Sequence, residues 1–303
     1  MSILNITNIS KTFGETRAVD NLSFDVHPGE IFGLLGPNGA GKTTTIRMIL
    51  DIFPPDTGEI TILGGRMSEE KKNHIGYLPE ERGLYQDIPL ERCLIYLARL
   101  KGMEESEAKS ELEEYMKRFD LYQYRDSKVK ELSKGMQQKA QLITTLVHNP
   151  DLVIIDEPFA ALDPVNTEMV KDLLEVKRDE GKAIIMSTHQ MNQVEELCDR
   201  ILLIDHGHRV LYGTLPEIQS EFSSRDLLIT PLSAFPETIS GVTEIQKVNG
   251  GYRLVLHPDA QPNEILKNLI NAGVEMTEFE IAVPPLNKIF IEVVKKQEGP
   301  LNE

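Results

Sequence analysis

The spacing of apolar residues changes period along this chain. Leu22, Phe24 and Val26 alternate with polar neighbours, and His27-Pro28-Gly29 closes them with a turn, so the N-terminal stretch reads as short strands. Ile31-Phe32-Gly33-Leu34-Leu35 predicts a buried strand that runs into a glycine-rich loop. After the loop the spacing predicts a helix over Thr43–Leu50, with Ile46, Ile49 and Leu50 on one face and Pro54-Pro55 as its stop. Ile60 and Ile62 mark a further short strand beyond the turn Asp56-Thr57-Gly58.

From about residue 88 to 135 the chain changes character. Leu90–Lys101 and Glu105–Phe119 are charged and helical in pattern, which reads as a helical insert. Met136, Ala140, Ile143 and Val147 then recur at helical spacing as far as Asn149-Pro150. Leu152–Ile155 predicts a strand; Val165, Met169, Leu173 and Val176 mark a helix that Gly181 ends. Ala183–Met186 predicts a strand, Met191–Cys198 a helix and Ile201–Ile204 a strand. Apolar strands alternating with amphipathic helices predict an α/β fold, a mostly parallel sheet covered by helices.

The pattern breaks near Ser220–Ser224. Beyond it lie strand candidates Leu227–Thr230, Val242–Val248, Tyr252–Leu256 and Met276–Ile281, helix candidates Asn263–Ala272 and Leu286–Lys295, and a tight turn at Asn249-Gly250-Gly251. The expected organisation is a first domain over 1–218 and a small α+β domain over 223–303. A length of 303 residues agrees with about two domains.

Composition narrows the function. The net charge of −16 argues against a general grip on nucleic acid or a charge-driven hold on anionic lipid. Cys93 and Cys198 are too few for a disulfide framework or a metal cage, which fits a reducing compartment. Met1–Ser10 has no basic patch followed by an apolar stretch, so no signal peptide is expected. The apolar runs fall far short of the ~20 residues that span a bilayer, so a membrane role would need a partner.

Gly36-Pro37-Asn38-Gly39-Ala40-Gly41-Lys42-Thr43 fits G-x-x-x-x-G-K-[ST] between a predicted strand and a predicted helix. Its glycines let backbone N–H groups curl around phosphate oxygens, and the helix N-terminus adds a positive dipole end. Lys42 would reach the β- and γ-phosphates, Thr43 would bind Mg²⁺ and Thr44 would add a nucleotide contact. The expected cofactors are ATP and Mg²⁺.

Leu152–Ile155 delivers Asp156 and Glu157 to the sheet edge where that loop sits. Asp156 suits Mg²⁺, and Glu157 suits polarising an attacking water. His189 follows the strand predicted beside Asp156 and is assigned to the γ-phosphate region. Asp163 reads as a helix cap with an additional interface role.

Leu132-Ser133-Lys134-Gly135-Met136-Gln137-Gln138 resembles the signature sequence of the ATP-binding cassette (ABC) ATPases, usually Leu-Ser-Gly-Gly-Gln. The order of phosphate loop, insert, signature, acid pair, Asp163 loop and His189 is similar to that family over residues 1–218. The resemblance implies a P-loop NTPase cassette with an antiparallel N-terminal part. It also implies a homodimer or pseudo-dimer paired head to tail, in which Ser133, Lys134 and Gly135 meet the ATP on the other subunit's Lys42. Phe13 stands where an aromatic stacks on adenine. Glu80, in Ile75-Gly76-Tyr77-Leu78-Pro79-Glu80, stands where glutamine is usual and is read as a metal or water contact. Lys134 and Met136 also depart from the usual residues.

Glu80–Tyr85 and Pro284–Phe290 look like the sodium-efflux (NatA-like) branch of type-2 (ABC-2) exporters. That resemblance implies an ATPase on the cytoplasmic face of the membrane, bound to a separately encoded transmembrane permease, with Gly83–Leu94 toward the partner. A soluble regulatory ABC ATPase and a nucleic-acid or ribosome-associated ABC protein are the alternatives; the acidic charge and the single cassette disfavour the second.

Overall fold

The computed structural model describes residues 2–81, 83–222, 226–248 and 250–298. Arg82, Ser223, Ser224 and Asn249, which belong to segments read above, lie outside them. Two compact units emerge, Met1–Leu215 and Pro216–Glu303.

The first unit begins with β1 (Leu4–Phe13), β2 (Thr16–Val26), β3 (Ile31–Leu35), α1 (Lys42–Ile49), β4 (Thr57–Ile62), α2 (Glu69–Lys72) and β5 (Ile75–Leu78). It continues through α3 (Leu90–Leu100), α4 (Glu105–Arg118), α5 (Lys134–Leu146), β6 (Leu152–Asp156), α6 (Pro164–Asp179), β7 (Ala183–Thr188), α7 (Met191–Leu197), β8 (Arg200–Asp205) and β9 (His208–Thr214). Then α8 (Leu215–Phe222) leads to β10 (Leu227–Pro231), β11 (Val242–Val248), β12 (Gly251–Leu256), α9 (Pro262–Asn271), β13 (Met276–Ile281) and α10 (Leu286–Glu298).

The central sheet runs β5-β6-β7-β3-β8-β9, parallel except where β9 returns against β8. Its inner strands are wholly buried, which explains their unbroken apolar runs. The register sets Leu35 opposite Thr188 and Asp156 opposite Ser187. The C-terminal ends of β3, β6 and β7 therefore share one edge.

The N-terminal strands are long, ten and eleven residues, where sequence pattern predicted short ones. Register shifts interrupt the β1–β2 ladder, and Asn8 and Asn21 take positive φ there. Each bulge resets the in–out alternation, so one strand reads as fragments. With β4 these strands make a separate antiparallel sheet, β2-β1-β4. Strand β9 gave no strand signal because its side chains are only half-buried or exposed. His206 and Gly207, both at positive φ, make its hairpin turn.

The helix read from Val165, Met169, Leu173 and Val176 is α6, but its buried face is Val170, Leu173 and Leu174. Val165 and Val176 are exposed. In the second unit, the antiparallel sheet β11-β12-β10-β13 packs Leu227, Ile229, Leu254 and Leu256 with Ile265 and Leu269 of α9.

Candidate functional site

The loop leaving β3 can form only with glycine at two places. Gly36 has φ +148°, and a Cβ there would lie 2.2 Å from the Ile204 carbonyl oxygen. Gly41, at φ +109°, caps α1; its Cβ would lie 2.4 Å from the Ala18 carbonyl oxygen. The backbone thus passes against β8 and β2 at distances no side chain permits.

Lys42 opens α1 and is only 9% exposed. Its ammonium donates to the carbonyls of Gly36 at 2.8 Å and Pro37 at 3.0 Å, and so ties the loop to itself. Burial holds Lys42 below its ordinary pKa, against the pull of Asp156, Glu157 and Glu80. Asn38, Gly39, Gly41, Lys42, Thr43, Thr44, Glu80, Asp156, Glu157 and His189 converge on one cavity of about 370 Å³. Gly36, Pro37 and Ala40 shape the loop from behind; Ala40 N–H donates to Pro37 O at 3.2 Å.

Asp156, at 4% exposure, closes β6. Burial raises its pKa, Glu80 and Glu157 push the same way, and Lys42 opposes them. A half-buried hydroxyl at Thr43 and a buried carboxylate that gains from a nearby cation fit the donor set for Mg²⁺. No group of three or more His, Cys, Asp or Glu able to hold a metal occurs among the described residues. The remaining ligands would have to be phosphate oxygens and water.

Glu157 follows in the left-handed region, φ +52°. Its N–H donates to Ser187 O at 2.8 Å, which turns the carboxylate toward the end of β7. There Thr188 Oγ1 donates to Oε2 at 3.1 Å, and the His189 backbone N–H donates to Oε1 at 3.1 Å. His189 Nδ1 lies 2.6 Å from the same Oε1.

Ser133, Lys134, Gly135 and Asp163 do not line this cavity. They gather at the start of α5 and α6. Ser133 caps α5 through the Met136 N–H at 3.3 Å, and Asp163 caps α6 through the Asn166 N–H at 2.9 Å. A Cβ on Gly135 would lie 3.0 Å from Ala161 O, so the start of α5 packs against the turn that leads into α6. Phe13 is also outside the cavity lining; it is 48% exposed and meets Phe53 edge to face at 5.5 Å.

Sequence reasoning missed Thr188, Gln138, Lys139 and Asn166. Gln138 Nε2 donates to Pro158 O at 3.3 Å, and Lys139 Nζ donates to Asn166 Oδ1 at 3.0 Å. These bonds tie α5 to the turn after β6 and to α6. Thr188 was findable, because it ends the strand predicted beside Asp156. The others needed the helix pairing.

Comparison with known proteins identifies the family. Residues 19–160 match the family described as ABC transporter, and residues 213–294 match the C-terminal domain of DrrA1-3-like ATP-binding proteins. The ABC transporter ATP-binding protein YhaQ of Bacillus subtilis is 42% identical over 294 residues, 96% of this chain and 98% of that protein. Nod factor export ATP-binding protein I of a Rhizobium species is 36% identical over 214 residues, 70% of each chain. A solved ATP-binding subunit of an ABC transporter superposes with a TM-score of 0.69 at 32% identity, covering 73% of this chain and 93% of that one.

Proposed function

The chain belongs to the ATP-binding proteins of ABC transporters, and from that premise we propose that it hydrolyses ATP to power a membrane exporter. The observation that carries this reading is the convergence of Lys42, Thr43, Asp156, Glu157 and His189 on one cavity. The loop N–H groups and Lys42 bind the β- and γ-phosphates. Thr43 and Asp156, with Glu80 beside them, would hold Mg²⁺, which neutralises phosphate charge and orients the triphosphate when bound. Glu157 polarises the attacking water. His189 leaves Glu157 for the γ-phosphate and frees the oxygen it occupies. Phe13 stacks on adenine.

Ser133, Lys134, Gly135 and Asp163 serve the nucleotide of a second cassette, paired head to tail as a homodimer or pseudo-dimer. Their position outside the cavity supports this, since one chain does not close both parts around one phosphate. A separately encoded transmembrane permease converts pairing and release into transport. This supplies the crossing segment, because among the described residues no helix is long and apolar enough to span a membrane. The protein then sits peripherally on the cytoplasmic face. Assignment to the sodium-efflux branch of the type-2 exporters rests on Glu80–Tyr85 and Pro284–Phe290, with the Nod factor export relative favouring export in general. The domain over 223–303 is an accessory module.

The test is Glu157→Gln in the full chain with Mg-ATP. Sedimentation should show a stable dimer with hydrolysis lost. Normal turnover, or a strict monomer at saturating nucleotide in the presence of the permease, would overturn the reading.

A further inference from the structure

Among the described residues that line it, the cavity is short of positive charge: Glu80, Asp156 and Glu157 face it with Lys42 as the one lysine, and the Lys42 ammonium is already engaged by two carbonyls. A triphosphate adds about four negative charges, of which Mg²⁺ offsets two. The three carboxylates differ in what holds them. Asp156 is buried, and Glu157 is latched by Thr188 and His189. Glu80 is exposed at the rim, with no hydrogen bond or ion pair among the described residues.

Lys134 is the complementary anomaly. It is the first residue of α5, directly after the Ser133 cap, and no acidic residue stands in that first turn. A cation there opposes the helix dipole, so the position is unfavourable for the helix itself. Its side chain is exposed and makes no hydrogen bond or ion pair among the described residues.

We propose that Lys134 of one copy pairs with Glu80 of the other across the nucleotide interface. The inference rests on the head-to-tail reading: if Ser133 and the start of α5 face the partner's γ-phosphate, Lys134 arrives at the partner's cavity rim, where Glu80 is the one lining carboxylate that no described residue of its own chain holds. The pair makes the exposed acid tolerable beside a triphosphate and gives the dipole-opposed lysine its counter-ion. In a homodimer it forms twice, so its effect on association is doubled.

A double-mutant cycle tests it, with the Mg-ATP dimer of full-length Glu157→Gln protein as parent. Lys134→Gly should weaken the dimer by about tenfold or more and flatten its salt dependence. In a Glu80→Gln background the same change should cost less than about twofold, and Lys134→Arg should keep the dimer within about threefold. Equal losses from Lys134→Gly in both backgrounds would overturn the pair while leaving the head-to-tail reading intact. A parent that stays monomeric with saturating Mg-ATP in the presence of the permease would remove that reading and the pair together.

Discussion

His189 Nδ1 lies 2.6 Å from Glu157 Oε1, so the proposed γ-phosphate contact and the proposed base are bonded to each other. Thr188 holds the other carboxylate oxygen, and the backbone at Glu157 is left-handed, a conformation that costs a non-glycine residue about 1 kcal/mol or more. Glu157 is thus aimed by Thr188 at the end of β7 and His189 just beyond it rather than by its own strand. On the proposed roles, activation requires exchanging the imidazole for a water on Oε1.

That exchange predicts different effects for the two neighbours. His189→Ala should lower steady-state turnover by about a hundredfold, with nucleotide affinity within about threefold. Thr188→Val should lower turnover by about tenfold, since it removes an aiming bond and spares the phosphate contact. Phosphate release at saturating ATP measures both. A kcat for His189→Ala equal to wild type would remove the histidine from the reaction.

Lys42 makes a sharper case for binding. Its ammonium is buried and held below its ordinary pKa by that burial. Lys42→Ala should weaken ATP binding by about a hundredfold or more, while the melting temperature stays within a few degrees, because removing a buried cation also removes its desolvation cost. Fluorescent-nucleotide titration and calorimetry report the two quantities. Unchanged affinity would contradict the phosphate-loop assignment.

The elements around this site were legible because the chemistry-bearing residues follow buried strands. Ile31–Leu35 and Leu152–Asp156 each announce themselves as apolar runs, and the residues after a parallel strand must emerge at its C-terminal edge. The strand read at Ala183–Met186 lies beside β6 as expected, and it delivers His189 to Glu157. What sequence pattern concealed was information carried by pairing. The bulges at Asn8 and Asn21 scrambled the alternation of β1 and β2. The Lys139–Asn166 bond joins residues on two helices whose packing no periodicity specifies.

Two loop glycines with similar sequence roles should behave differently. At Gly36 a Cβ would collide with the Ile204 carbonyl, so Gly36→Ala should destabilise by about 3 kcal/mol or more and deform the phosphate loop. At Gly39 φ is +81°, but a Cβ would meet nothing within 4 Å. Gly39→Ala should therefore cost only about 1 kcal/mol, the conformational penalty alone. Urea unfolding of the two variants separates steric collision from backbone strain; equal losses would mean the β8 contact has no effect.

Acid should loosen the region where α5 ends against β5. His148 Nε2 lies 3.3 Å from Ile75 O, its Nδ1 is buried with no hydrogen-bond partner among the described residues, and Lys101 Nζ donates to that same carbonyl at 2.9 Å. Burial first, then the charge of Lys101, lowers the His148 pKa to about 4 from 6.5. The unfolded chain therefore binds the extra proton first as pH falls. The contribution is fully present above pH 6.5 and is lost between there and about 4, amounting to about 3 kcal/mol. Below that window both states are protonated and the loss stops growing. His148→Gln has no proton to take up, so its unfolding free energy should fall less steeply over that range than the wild type's. Parallel pH curves for the two proteins would show that folding does not shift the His148 pKa. Because Lys101 caps the C-terminus of α3 within the helical insert and Ile75 begins the strand that leads to Glu80, the same acid step should weaken ATP-driven dimerisation before the chain unfolds globally.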